Sequence, residues 1–477
     1  MFRVLLINPP YDIERYMGKL SSIAFVFPPF GLAYIASLLR ESGIDVELFD
    51  SQVEERSIRD VVRSSKPDLI GITCVTALVD STLELGALIR EEFPGISIIV
   101  GGIHPTLRPD DFVGKPGIDF ICKGEGEFVM LEVVKTLEAG GDTTSIPGLI
   151  TIKAGGVAIE GPKRNLLKNL DEIPPPALDL LPIEKYRISP DMRTGDRVGV
   201  IFTSRGCPFD CIFCANRLLS EGHYRAHSIE RVCSEIDQLL ELHNINQLFV
   251  YDDNFAVNKK RAKALCREFI ARGYHKRFTW WAEARVDCVD NELLTLMYQA
   301  GCRIISYGLE SGVQRLLDFI QKNITLEKTR EVVQITREVG IDVRASFILG
   351  LPTETTEDSL ETIRFARSLG LAQVRFAIAT PFPGTKLWDI AQQEGGLHYD
   401  NWKAFSLMSG YSGGLPVYVP KGRDPKELAK LQRKANMMFY LQPRVIWVYI
   451  RRMKDWAAIK EIAVGALKFF RASLFPS

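Results

Sequence analysis

The chain contains no uninterrupted apolar stretch approaching the ~18 residues that a membrane-spanning helix requires, so no helical membrane span is expected. Its opening run, Met1 to Pro10, has too short an apolar segment for a secretory signal, and a cytoplasmic protein is expected. Neither sign of charge is in excess, because 59 lysines and arginines meet 59 aspartates and glutamates. That balance removes any global electrostatic basis for a nucleic-acid or polyacid partner. Cysteine is sparse, nine in 477 residues, which excludes the disulfide framework of a small secreted domain. Three of the nine nevertheless fall between positions 207 and 214, and that crowding points to a metal in a reducing compartment.

A chain of this length exceeds one ordinary core, so two or more domains are expected. From residue 3 to residue 138, β-branched runs at Val4–Ile7, Val46–Phe49, Leu69–Thr73, Ser97–Val100 and Phe120–Cys122 alternate with helical patterns at 31–42, 56–64, 78–92 and 126–138. Such alternation predicts an α/β, doubly wound, Rossmann-like domain over 1–140, with ligands beyond the carboxyl ends of its strands. Those ends carry Asn8-Pro9-Pro10, Asp50, Thr73, Gly101-Gly102 and Lys123-Gly124-Glu125-Gly126-Glu127. Residues 141–194 read as a hairpin, Leu149–Lys153 and Val157–Gly161 turning at Gly155-Gly156, followed by a stiff connector at Pro174-Pro175-Pro176. A second βα series over 195–395 has strands near 199–204, 247–252, 278–283, 303–308, 343–349 and 373–379. Six units make a partial (β/α)6 barrel whose chemistry sits at the strand carboxyl ends. Residues 396–477 read as a helical C-terminal region.

The first barrel strand runs into Arg205-Gly206-Cys207-Pro208-Phe209-Asp210-Cys211-Ile212-Phe213-Cys214, a CxxxCxxC pattern. Three thiolates can occupy three irons of a 4Fe-4S cubane and leave the fourth iron open. Structural zinc is the competing reading, with His223 or His227 as the fourth ligand. The six other cysteines are expected to be buried, inert thiols.

This spacing, with Phe213 before the last cysteine, resembles the radical S-adenosylmethionine (SAM) superfamily. The resemblance implies that the open iron chelates the amino and carboxylate groups of SAM and that reductive cleavage yields a 5′-deoxyadenosyl radical, fed by an electron donor such as flavodoxin or ferredoxin. Later strand ends then hold the rest of SAM. Asp252 and Asp253 look like the acidic motif that binds the SAM ammonium, although an Asp pair at a strand end is also an ordinary solvated turn. Strand three brings Glu283 and Arg285, strand four Glu310 and Ser311, and strand five Arg344, whose planar fork suits the SAM carboxylate. Strand six ends in the turn Thr380 to Thr385, where backbone can approach adenine. Each motif is weak alone, but their order is that of successive barrel strands.

The whole arrangement, including the connector Leu170 to Pro182, resembles the cobalamin-binding radical SAM proteins, among them hopanoid methylases and the anaerobic magnesium-protoporphyrin ester cyclase. The resemblance implies cobalamin at the strand ends of the first domain, near Asn8, Thr73, Gly101, Gly102, Gly124 and Glu125. One departure stands out: Asn8-Pro9-Pro10-Tyr11-Asp12-Ile13 lacks the Asp-x-His-x-x-Gly that supplies a lower cobalt ligand in many cobalamin domains. His104, the one histidine of this region, is expected to be a loop residue. A Rossmann-like domain serving another ligand is the competing reading.

The resemblance implies methyl transfer to an unactivated carbon of a small-molecule or lipid-like substrate. The alternatives are ring formation, oxygenation or carbon coupling, and, from a different class, a non-catalytic sensor of cobalamin or iron. In the tail, residues 451–477 hold six Lys/Arg and two Asp/Glu, with Trp447, Trp456, Phe469, Phe470 and Phe475 nearby. That composition suits a helix pair packed on the barrel with its basic residues facing water, ahead of peripheral contact with an anionic membrane.

Overall fold

The computed structural model describes residues 2–13, 21, 25–186, 188–189, 192–405, 407, 411, 414–452, 463–468 and 471. It divides into two compact units: Met1–Asp12, Val26–Tyr186 and Asn401–Lys403 form the first, and Ile13–Phe25, Arg187–Asp400 and Ala404–Ser477 the second. Trp456, Phe469, Phe470 and Phe475 lie outside the described residues.

The first unit is built on a seven-stranded sheet in the order β2-β1-β3-β4-β5-β6-β7. The strands are β1 Arg3–Asn8, β2 Asp45–Asp50, β3 Leu69–Thr73, β4 Ser97–Gly101, β5 Phe120–Cys122, β6 Leu149–Lys153 and β7 Val157–Glu160. The first five are parallel. Val4, Leu5, Leu6 and Ile7 are all buried, as expected of a parallel strand with both faces covered. The crossover helices are Phe30–Glu41, Ile58–Ser65, Val79–Glu92 and Glu127–Glu138, within a few residues of the sequence pattern. The strand order reverses between β1 and β3, the position where doubly wound folds open a crevice at the carboxyl edge.

Two features differ from the sequence reading. The hairpin expected in the connector joins the sheet, because β6 pairs antiparallel with β5 (Ile121 opposite Ile150) and buries Leu149 and Ile150. The first unit therefore continues past residue 140, through the proline run, to Tyr186, whose hydroxyl donates to Asp50 Oδ2 at 2.8 Å. Within the expected C-terminal region, Asn401–Lys403 belongs to the first unit. There the Trp402 ring lies edge-on to His104 at 4.6 Å, and Lys403 pairs with Glu84 at 2.9 Å.

The second unit contains six parallel strands in the order β15-β14-β13-β12-β11-β8, with β8 Val198–Ile201, β11 Gln247–Val250, β12 Thr279–Ala284, β13 Cys302–Glu310, β14 Asp342–Leu349 and β15 Gln373–Ile378. Two short strands, β9 Ser204–Arg205 and β10 Arg225–Ala226, pair beside them. Along β14 buried and half-buried residues alternate. Ala345 stands opposite Tyr307, whose hydroxyl bonds Thr336 on the helix Leu326–Val339. Those two residues face the helices, so the period of two turns Arg344 and Ser306 to the opposite, inner face. The free edge of β15 is covered by the helix Pro425–Tyr440, capped by Asp424. Gln432 Nε2 donates to Phe376 O at 2.8 Å and Tyr440 OH to Val374 O at 2.9 Å, occupying backbone acceptors that an uncovered edge would offer to another chain.

Candidate active site

The chain leaving β8 turns at Thr203 and Ser204 into the cysteine loop, and this turn is anchored from within. Asp252 accepts four hydrogen bonds, from Thr203 N at 2.6 Å, Thr203 Oγ1 at 2.6 Å, Ser204 N at 3.1 Å and Ser204 Oγ at 2.7 Å. Arg261 adds bonds to Thr203 Oγ1, Thr203 O and His227 O at 3.1, 2.8 and 2.9 Å. Asp253 Oδ2 accepts from Gly206 N at 3.0 Å, and Asn216 Oδ1 from Cys207 N at 3.1 Å. Gly206 has φ +90°, and a Cβ there would meet His223 O at 2.1 Å, so only glycine fits before the first cysteine. Backbone geometry thus presents Cys207, Cys211 and Cys214, all half-buried, whereas the six other cysteines are buried. Burial pushes the Cys207 thiol up and that of Cys214 to about 11, so metal binding there must displace protons. Among the described residues no three His, Cys, Asp or Glu side chains converge as one metal ion requires; a cubane takes each thiolate on a separate iron. The donor set fits the cluster.

Behind the loop lies a charged layer. Arg285 Nη1 is 3.5 Å from Cys211 Sγ, and its guanidinium lies 3.7 Å from the centroid of Phe209. Lys322 Nζ pairs with Glu310 Oε1 at 2.9 Å, both buried, and stands 5.9 Å from the Phe213 ring. Glu310 adopts φ +65° beside a register shift in β13, an uncommon conformation for a residue with a side chain. Ser311 is buried, bonded to Thr362 Oγ1 at 3.2 Å and to Val313 N at 3.1 Å.

The inner face carries a row of polar groups. Glu283 on β12, Ser306 on β13 and Arg344 on β14 are successive register partners. Burial raises the Glu283 carboxyl, against the opposing pull of Arg344 and Arg375. Among the described residues, the side chains of Glu283 and Arg344 form no hydrogen bond or close ion pair, although each acts on the other electrostatically, and Asp253 is exposed. Asp253, Glu283 and Arg344 can therefore receive a ligand carrying an ammonium and a carboxylate. Asp252, Arg285, Glu310 and Ser311 are committed to holding the scaffold.

In the first unit, Asn8 Nδ2 donates to Asp50 Oδ1 at 2.9 Å at the carboxyl ends of β1 and β2, so the two satisfy each other. Gly101 packs on Cys122, and Gly102, at φ +108°, would place a Cβ 2.8 Å from Cys74 O. Thr73 is half-buried, Gly124 N donates to Thr106 Oγ1 at 2.9 Å, and Glu125 Oε2 accepts from Leu167 N at 3.3 Å. Exposed Val75 and Ile103 follow β3 and β4, and a separate cleft of about 350 Å³ runs from Pro10, Phe49 and Ser51 to Ile58, Leu85 and Leu88 on the flanking helices. The exposed Val75 and Ile103, at the carboxyl ends of β3 and β4, fit the apolar surface of a large planar ligand. His104, expected in a loop, is fully buried on the short helix Ile103–Leu107. Its ring nitrogens lie 3.2 Å from Thr76 Oγ1 and 3.0 Å from Asp111 Oδ2, so it holds the framework.

Sequence reasoning did not single out Lys322, Arg261, Asn216, Ser306 or Arg375. Arg375 had a signal, the one charge in the strand Gln373–Ile378. The others become visible only through the partners that folding brings to them.

Residues 19–134 match the family profile described as B12 binding domain, and residues 201–366 that of the Radical SAM superfamily. The chain is 34% identical over 452 residues, 94% of each chain, to an uncharacterized methyltransferase of Pyrococcus horikoshii. It is 29% identical over 483 residues to the anaerobic magnesium-protoporphyrin IX monomethyl ester cyclase of Rubrivivax gelatinosus, covering 99% of this chain and 83% of that protein. Among solved structures, the methyltransferase TsrM of Kitasatospora setae, with cobalamin and a 4Fe-4S cluster bound, superposes with TM-score 0.71 at 21% identity, covering 93% of this chain and 90% of that one. OxsB, a cobalamin-dependent SAM radical enzyme, superposes with TM-score 0.75 at 18% identity, covering 99% and 72%. The chain belongs to the family of radical SAM enzymes that carry a B12-binding domain.

Proposed function

We propose that this enzyme transfers a methyl group to an unactivated carbon of a small-molecule or lipid-like substrate. The observation that carries the reading is the cysteine loop: three half-buried thiols at the carboxyl end of β8, fixed by Asp252, Asp253, Arg261 and Asn216. In this reading Cys207, Cys211 and Cys214 hold the 4Fe-4S cluster, Asp253 and Glu283 face the SAM ammonium, and Arg344 faces its carboxylate. Cobalamin lies at the carboxyl edge of β1 to β5, where no histidine follows β1. Cluster, SAM and cobalamin, when bound, supply radical generation and methyl donation. The protein's own contribution is to position SAM on opposite charges across Ser306 and to hold the ligating loop rigid.

Relatives named as methyltransferases support methyl transfer, whereas the cyclase relatives favour ring formation as the second reading. The deciding experiment is anaerobic reconstitution with iron, sulfide and hydroxocobalamin, a flavodoxin- or ferredoxin-type reductant, and candidate substrates. Methyl transfer yields 5′-deoxyadenosine together with S-adenosylhomocysteine and methylated product, with the 5′-deoxyadenosine and the methylated product lost in Cys211→Ala. Converted substrate with 5′-deoxyadenosine but no S-adenosylhomocysteine refutes methyl transfer and leaves the cyclase-type reading.

The lipid-like substrate class is supported by the helix Pro443–Arg452, which exposes Ile446 and Ile450 beside Trp447. No helix among the described residues is long and apolar enough to cross a membrane, so contact is proposed at the surface. Co-sedimentation with anionic liposomes at low salt, lost on truncation at residue 440, is the expected result; equal behaviour of both forms overturns it.

A further inference from the structure

Arg285 was expected among the SAM contacts, but its surroundings assign it a different task. It follows β12 and is only 5% exposed. Nε and Nη2 form a fork on Asp287, at 3.0 Å to Oδ1 and 2.9 Å to Oδ2, and Nη2 also donates to Lys322 O at 2.6 Å. The guanidinium stacks on Phe209 at 3.7 Å. With the fork and the stack fixing its plane, Nη1 is left directed at Cys211 Sγ at 3.5 Å. The segment that supplies Lys322 O is itself tied to the cysteine loop, since Ile212 N donates to Ile320 O at 3.1 Å. Arg285 is thereby enclosed by Phe209 and Cys211 on one side and by Asp287 and Lys322 on the other. Its donors are engaged by Asp287, Lys322 and Cys211 rather than by Glu283, Ser306 or Arg344.

A ligand thiolate that accepts an N–H bond from a cation donates less electron density to its iron, and hydrogen bonds to the sulfurs are among the factors that set iron–sulfur potentials. A buried guanidinium acts at low local dielectric, where its charge is poorly screened. We propose that Arg285 is a positioning residue of the cluster. It donates to the Cys211 thiolate, fixes the loop through Phe209, and makes the cluster easier to reduce by one electron from its donor. This inference rests on the cluster assignment made above. Lysine cannot replace it fully, because it has neither the fork for Asp287 nor the planar face for Phe209.

The test uses the full chain, reconstituted anaerobically with iron and sulfide and without SAM or substrate. Iron and sulfide content and Mössbauer spectra first establish whether a 4Fe-4S cluster is present; its absence in the wild type defeats the cluster assignment itself. With the cluster present, pulsed EPR of the reduced wild type, grown with arginine labelled with 15N in the guanidino group, is expected to show a 15N coupling. Labelled Arg285→Lys should lose it. No coupling in the wild type overturns the proposal, whatever the variants do. At matched cluster content, an EPR-monitored redox titration should give Arg285→Met a more negative midpoint potential than wild type, with Arg285→Lys in between. An unchanged midpoint in Arg285→Met shows a purely structural residue and overturns the tuning role. Should Arg285→Met fail to retain a cluster, the coupling in the wild type and the Arg285→Lys titration decide.

Discussion

Glu283 and Arg344 stand in one cross-strand row, both in register with Ser306, and among the described residues neither side chain makes a hydrogen bond or close ion pair. They act on each other electrostatically across the row, and their hydrogen-bonding capacity stays open for a ligand. Two strand spacings, about 10 Å, separate their backbones, a span that side chains from both ends can close around the amino-acid part of SAM. Arg344→Met should weaken SAM binding by roughly 10- to 100-fold, the loss of a charge-assisted bond worth about 1.5–3 kcal/mol. Equilibrium dialysis with cluster-loaded protein measures it.

The raised carboxyl of Glu283 has a pH consequence. Burial is the main cause, opposed by Arg344 and Arg375, so the group takes up a proton at a higher pH than an ordinary glutamate. SAM affinity should fall as the pH is lowered through that value, and Glu283→Gln should show a weaker affinity without this fall. Stability runs the other way. With the folded pKa above the unfolded one, protonation favours the fold below the unfolded value, and that contribution is lost as pH rises through the folded value. Thermal unfolding should therefore find Glu283→Gln more stable than wild type at neutral pH and equal to it in acid.

Asp252 supports the cysteine loop from below. Asp252→Ala leaves the Thr203 and Ser204 amides and hydroxyls without their acceptor, at a cost of roughly 2–4 kcal/mol. Thermal unfolding and iron retained after gel filtration should both fall, while Asp252→Asn, which keeps one oxygen acceptor, should fall less. Equal iron retention in all three proteins would contradict the anchoring role.

The Lys322 and Glu310 pair is buried at both ends, with side-chain exposures of 7% and 8%. Lys322→Met alone strands a buried carboxylate and should destabilise the unit by about 3–5 kcal/mol. Lys322→Met combined with Glu310→Gln should recover most of that loss, because no uncompensated charge is left. Chemical denaturation of the two single variants and the double variant gives the coupling.

The parts of this protein that were legible in advance are those governed by near neighbours in the chain. The β-branched runs from Val4 to Cys122 specify buried parallel strands because each buries both faces, whatever lies beyond. The cysteine spacing from 207 to 214 is likewise a local property of one loop. Side chains whose role depends on distant partners were not legible. Asp252 looks the same in sequence whether it meets a ligand or Thr203, and Ser311 the same whether it meets ribose or Thr362.

The hairpin Leu149 to Glu160 shows the same division at the scale of whole elements. Its two strands and its turn follow from residues in contact along the chain, but its membership in the first sheet depends on the unpaired edge of β5, which only folding exposes. Local composition by itself determined that there are two βα series, a CxxxCxxC loop in the second, and no histidine after β1. Tertiary structure alone decided which polar groups are satisfied by the scaffold and which stay open, because hydrogen bonds and burial depend on positions in space, and residues 49 or 74 positions apart reach each other only once the sheets have formed.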